Sequence, residues 1–170
     1  QSRGLEKGDK IALMMPNLLQ YPVALFGALK AGLTIVNTNP LYTPREMEHQ
    51  FTDSNVKAIV IAENFAINLQ QVIGNTEISI VLTASIGGML GAIKGRLTNF
   101  VVRKIKRMVP AYNIPNTVTV KDAIKQGSKF TLTDVESCSE DVIVHQYTGG
   151  TTGVAKGAML TNRNLLANML

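Results

Sequence analysis

Between Lys10 and Thr83 the chain alternates short apolar runs with stretches whose apolar positions recur at helical spacing. "KIALMMP" is a buried strand halted by Pro16, and "YPVALFGALKAG", apolar almost all round, predicts a buried helix that closes at Gly32. "TIVNT" is a second strand. After the turn "NPLY", Thr43 stands at an N-cap, Pro44 at the first helical position and Glu46 at the capping-box position, so a helix begins there. Met47 and Phe51 share its inner face, and Asn55 ends it ahead of "VKAIVIA", a third strand rich in β-branched residues. Asn64 is expected to cap the next helix, with Phe65, Leu69, Val72 and Ile73 on one face and Gly74 at its end. "ISIVLT" supplies a fourth strand. Strands joined through helices of this length imply βαβ crossovers, hence an α/β fold with a parallel sheet covered by helices on both faces.

From Ser85 to Pro110 the pattern changes. At about 100° per residue, Leu90, Ile93, Leu97, Phe100, Val101, Ile105 and Met108 gather on one face, and Arg96, Arg103, Lys106 and Arg107 gather opposite. A basic amphipathic helix of this kind can lie on an anionic membrane surface, or dock on its own protein with its charges in water. "PAYNIPNTVTVKD", with two prolines, reads as an extended connector.

Charge sharpens this picture. The chain of 170 residues carries a formal net charge of +5, yet between Glu77 and Asp122 there is no acid and there are seven basic residues: Lys94, Arg96, Arg103, Lys104, Lys106, Arg107 and Lys121. The rest holds 10 Lys and Arg against 12 Asp and Glu, so the basic character is local and gives no ground for nucleic-acid binding. The length suits one ordinary core. Cys138, the one cysteine, excludes an internal disulfide and reads as a loop residue. No apolar run approaches the roughly 18 residues a spanning helix needs, so a cytoplasmic protein is expected, peripheral at most at the inner face of the membrane. Both ends look cut, as in a piece of a longer protein.

The chemistry lies near the end of the chain, in "HQYTGGTTGVAKGAMLTNRNLL". "DVIVHQYT" and "AMLT" read as strands, and the loop between them offers glycines at Gly149, Gly150, Gly153 and Gly157 that let backbone N–H groups approach an anion. Thr148, Thr151 and Thr152 add hydroxyls and Lys156 a mobile positive charge, which together suit a polyphosphate. The order excludes the common phosphate loop, in which the lysine follows its glycine and opens a helix. His49 and His145 have no spaced companions for a metal site and read as structural.

These residues carry a resemblance. "YTGGTTGVAKGAMLTNRN" resembles the signature loop of the adenylate-forming superfamily of acyl-CoA synthetases, luciferases and peptide-synthetase adenylation domains, whose usual form is [YF]-T-[SG]-G-[ST]-T-G-x-P-K-G. "GDKIALMMPN" and "LFGALKAGLTIVNTNPLYTPREMEHQFTDSNVKAIV" resemble the upstream part of the same domain, above all in bacterial long-chain fatty acid–CoA ligases. The resemblance implies part of a large N-terminal adenylate-forming domain: a βαβ core over 10–83, a basic helical insertion over 85–110, and the phosphate loop with the following helix start over 141–170.

It also implies ATP-dependent activation of a fatty acid through an acyl-adenylate to acyl-CoA, with ATP, Mg²⁺ and coenzyme A as the other participants. Thr148, Thr151, Thr152 and Lys156, with the amides around Gly149, Gly150, Gly153 and Gly157, would then hold the β- and γ-phosphates, Thr148 would touch Mg²⁺, and Tyr147, grouped with them at the nucleotide site, would fix the strand end. No complete catalytic set lies in the chain, since the family's downstream glutamate, aspartate and terminal lysine fall beyond Leu170. Ala155 replaces the usual proline, and Asn162, a candidate helix cap, stands where the family carries a histidine. The implied partners are fatty acid, ATP and coenzyme A, and a second copy of the full-length protein; the basic helix, read on its own pattern, adds an anionic membrane surface through Arg103, Lys104, Lys106 and Arg107. The rival readings are an adenylating enzyme for an aryl or amino acid, and a non-catalytic membrane-surface module.

Overall fold

Apolar alternation along the strands decides which side of the sheet each helix covers. The computed structural model describes residues 1–148 and 155–169. Its strands are β1 (Lys10–Met14), β2 (Thr34–Asn37), β3 (Val56–Ala62), β4 (Ile80–Ala84), β5 (Val118–Thr119), β6 (Val142–Thr148) and β7 (Lys156–Thr161). They form one seven-stranded sheet in the order β5-β4-β3-β1-β2-β6-β7. All neighbours run parallel except β6 and β7, which are antiparallel.

In β1, Ala12 and Met14 face one side and Ile11 and Leu13 the other, as the period of two requires. The first side packs on α2 (Pro44–Ser54) through Met47 and Phe51, and on α3 (Ala66–Val72) through Leu69 and Val72. The second side packs on α1 (Gln20–Lys30) through Ala28, and on α5 (Val120–Gly127) through Val120. Helix α4 (Ala92–Phe100) continues into a π-helical turn, Val101–Ile105, and α6 (Asn162–Met169) follows β7.

The α2 boundaries follow the sequence closely. Thr43 N–H donates to Glu46 Oε2 at 2.8 Å, the Glu46 N–H returns to Thr43 Oγ1, and Asn55 closes the helix in the left-handed region with φ 51°.

Other expectations are corrected. Helix α1 is not buried all round: Val23 and Phe26 are 44% and 67% exposed, because the sheet covers only one side of it. Asn64 does not cap α3. It sits in a 3₁₀ turn, Glu63–Phe65, and donates Nδ2 to the Met108 carbonyl at 2.9 Å. The connector contains β5 and then α5, capped by Thr119 Oγ1 accepting from the Asp122 N–H at 3.1 Å.

The amphipathic helix is the largest departure. Its apolar face lies in water along with the basic one, with Ile93 85%, Leu97 64% and Phe100 57% exposed. The helix docks instead through Gly95, so close to the 85–91 loop that a Cβ there would lie 2.4 Å from the Gly87 carbonyl oxygen. Arg103 is also not part of a free basic face: its guanidinium is paired with Glu63, which is buried. No helix among the described residues is long and apolar enough to cross a membrane.

Candidate phosphate site

Strand β6 continues the parallel sheet beside β2, and β7 folds back on it, so the glycine-threonine segment joins the carboxyl end of β6 to the start of β7 in sequence. Gly149, Gly150, Thr151, Thr152 and Gly153 lie outside the described residues, and the site is built here from its two flanks. Thr148 is paired directly with Lys156 across the antiparallel ladder, and both side chains are exposed. One residue further in, Tyr147 is paired with Gly157. Alternation therefore sends the hydroxyl and the ammonium to one side of the hairpin and the tyrosine ring to the other.

Tyr147 is buried and donates its hydroxyl to Asp53 Oδ2 on α2. Burial and the hydrogen bond to that carboxylate push its phenol well above the ordinary range, so it stays a neutral donor. A Cβ on Gly157 would lie 2.9 Å from Cε2 and Cζ of this ring. Gly157 is thus required by close packing at the strand. His49, also on α2, places Nε2 3.4 Å from the Ala155 carbonyl oxygen. Helix α2, capped at Thr43, is the rigid block against which both flanks of the loop rest.

A polar network holds the β6 end from the other side. Tyr21 Oη donates to Asn37 Oδ1 at 2.7 Å, Asn37 Nδ2 donates to Gln146 Oε1 at 3.0 Å, and Gln50 Nε2 donates to the Asn37 carbonyl at 2.9 Å. Four elements, α1, α2, β2 and β6, are thereby fixed at the carboxyl edge of the sheet. Sequence reasoning missed Asp53, Asn37 and Gln146. Asn37 and Gln146 did carry a signal, being amide side chains inside runs that are otherwise apolar.

His145 lies half-buried beside Lys10, away from the loop flanks, and burial followed by the lysine charge pulls its imidazole pKa down. Asn162 does not cap α6. Thr161 does, exchanging hydrogen bonds with Asn164, while Asn162 Nδ2 donates to Ser137 Oγ at 2.7 Å and to the Cys138 carbonyl at 2.9 Å. This tether holds the 137–138 loop against the start of α6.

The donor set at the flanks, a lysine and a threonine hydroxyl with the neighbouring tyrosine turned away, fits an anion. Among the described residues no group of three or more His, Cys, Asp or Glu could hold an ion through protein ligands alone.

A family profile described as AMP-binding enzyme matches residues 1–170. This chain belongs to the AMP-binding enzyme family. Its similarity to the long-chain-fatty-acid–CoA ligase of Escherichia coli O157:H7 is 55% identity over 169 residues, covering 99% of this chain and 30% of that protein. The ligase of the same name from Bacillus subtilis (strain 168) is 38% identical over 172 residues, again 99% of this chain and 30% of that one. Among solved structures, a long-chain-fatty-acid-CoA ligase from Archaeoglobus fulgidus superposes with a TM-score of 0.71 at 27% identity, over 98% of this chain and 28% of its own. The chain therefore spans about 30% of the length of the curated ligases it matches. The mostly parallel, helix-flanked sheet agrees with the AMP-binding fold.

Proposed function

We propose that this chain is part of a long-chain fatty acid–CoA ligase and supplies its triphosphate-holding loop. The reaction is attack of a fatty-acid carboxylate on the α-phosphorus of ATP, giving acyl-adenylate and pyrophosphate, followed by displacement of AMP by the thiol of coenzyme A. The observation that carries this reading is the Thr148–Lys156 pair, set side by side by the hairpin register in a chain that belongs to the AMP-binding family.

Lys156 places its ammonium against the charge that builds on the leaving pyrophosphate, and Thr148 donates a hydrogen bond to the same oxygens. Thr151, Thr152 and the glycine N–H groups between them complete the cradle, with Gly149, Gly150 and Gly153 giving the backbone room. Tyr147, locked to Asp53, holds the strand from which Thr148 projects. Mg²⁺ bound with the triphosphate would neutralise phosphate charge, and Thr148 Oγ1 is the contact we assign to it. Identity of 55% to a ligase named for long-chain fatty acids favours a fatty acid over an aryl or amino acid.

The test is carboxylate-dependent exchange of labelled pyrophosphate into ATP by the full-length protein. Lys156→Ala and Thr148→Ala should each lower the rate about 10²-fold or more. Wild-type rates in both variants would remove the assignment.

A second reading concerns where the enzyme works. The exposed Ile93, Leu97 and Phe100, with Lys104, Lys106 and Arg107 nearby in sequence, favour contact with an anionic membrane surface. Arg103, held by Glu63, serves as the anchor of this segment. Vesicle binding should weaken with salt and in a Lys104/Lys106/Arg107→Gln variant, each charge being worth about 1 kcal/mol near such a surface. Equal partitioning of variant and wild type would exclude it.

A further inference from the structure

The acid-free window of the sequence closes in three dimensions around a cavity of about 210 Å³. The cavity lies at the carboxyl ends of β4 and β5, with the glycine-rich loop Ser85–Gly91 as one wall, and none of its described lining residues is acidic. Arg96 and Lys121 both line it. Helix α4 starts here at Gly91, where φ is 81° and no side chain caps the first-turn N–H groups. One uncapped helix N-terminus and two cations are a favourable setting for an anion.

A further observation narrows the kind of anion. Gln20 lines the same cavity, is only 2% exposed, and donates Nε2 to the Ser85 carbonyl at 2.8 Å. Its Oε1 has no partner. A buried carbonyl oxygen without a donor carries a desolvation cost that a ligand proton would remove. Gly88 lies against this amide, so that a Cβ there would come within 2.6 Å of Nε2. Asn99 fixes the loop, accepting from the Gly87 N–H at 2.8 Å and donating to Ser85 Oγ at 3.2 Å.

An anion that keeps a proton near neutrality satisfies both the cations and the orphaned acceptor. Phosphate and its monoesters do so, and sulfate does not. We infer that the cavity between the Ser85–Gly91 loop and the start of α5 is a second phosphate site, taking inorganic phosphate or a small phosphate monoester, with Arg96 and Lys121 as counter-charges and Gln20 as acceptor of the phosphate proton. It is separate from the threonine loop: β4 and β6 are four steps apart in the sheet, or about 19 Å.

The experiment is calorimetric titration of the full-length protein at pH 6 with inorganic phosphate, sulfate and glycerol 3-phosphate. Phosphate should bind more tightly than sulfate, and binding should persist in Lys156→Ala, which disables the other anion site. An Arg96→Ala/Lys121→Ala variant, altered only at exposed positions, should bind phosphate about tenfold more weakly or worse. Gln20→Met should erase the preference over sulfate. Tighter binding of glycerol 3-phosphate than of phosphate would assign the ester, and equal binding the free ion. The inference is overturned if sulfate binds as well as phosphate, if the double variant binds like wild type, or if Lys156→Ala abolishes the signal.

Discussion

A Cβ at Gly157 would sit 2.9 Å from the ring of Tyr147, a ring held in place by its hydrogen bond to Asp53, so Gly157→Ala must push apart two paired strands. The expected loss is about 1–3 kcal/mol in urea unfolding, an overpacking cost. Tyr147→Phe keeps the ring and removes the donor, and should cost about 1 kcal/mol. Asp141 gives a pH signature. Its ion pair with Lys7 at 2.7 Å, helped by the Cys138 N–H, lowers its pKa from 3.8 to about 2. A depressed folded pKa means the contribution is complete above about pH 3.8 and disappears as pH falls towards 2. Stability measured from pH 5 to 2 should therefore decline less steeply in Asp141→Asn. At this scale the sequence was legible wherever a residue acts on its own backbone neighbours, as Thr43 and Asn55 do. It was illegible where a short polar side chain has a distant partner: Asn64 reaches Met108, and Asn162 reaches Ser137. Both look like caps by type, and only the fold decides which acceptor wins.

Among the elements, α4 shows what periodicity can and cannot say. The spacing correctly marks one face as apolar, but which side of the helix docks is settled by close approach of Gly87 to Gly95, which hydrophobic pattern does not register. Gly95→Ala should lift the helix from the loop, and amide exchange should speed up across 85–108 while β1 and β3 stay protected. Arg103→Ala should cost on the order of 2 kcal/mol, because Glu63, 3% exposed, would be left as a buried charge without its partner. Glu63→Gln/Arg103→Ala together should recover part of that loss in a double-mutant comparison. The site elements were more legible. Both flanking strands follow from the sequence pattern, whereas Asp53 and Asn37, which position them, lie about a hundred residues earlier and belong to α2 and β2.

For the whole molecule, the strand order puts the hairpin at one edge of the sheet, and among the described residues β7 is paired on one side only. Met159, 65% exposed, lies on that edge strand. An open edge of this kind templates further pairing. Light scattering of the 170-residue chain should show concentration-dependent association that Met159→Lys reduces. The hairpin register has a further consequence. Side chains along paired strands switch sides at every step, so insertions near the loop that slide β7 along β6 act by parity. A slip of one position would turn Lys156 towards the tyrosine side and present glycine to the ligand, whereas a slip of two would restore the facing and merely move the charge along the strand. Any ligand that grips Thr148 and Lys156 together therefore selects one alignment of β7 over its neighbours, and its binding free energy is added to the cohesion of the hairpin itself.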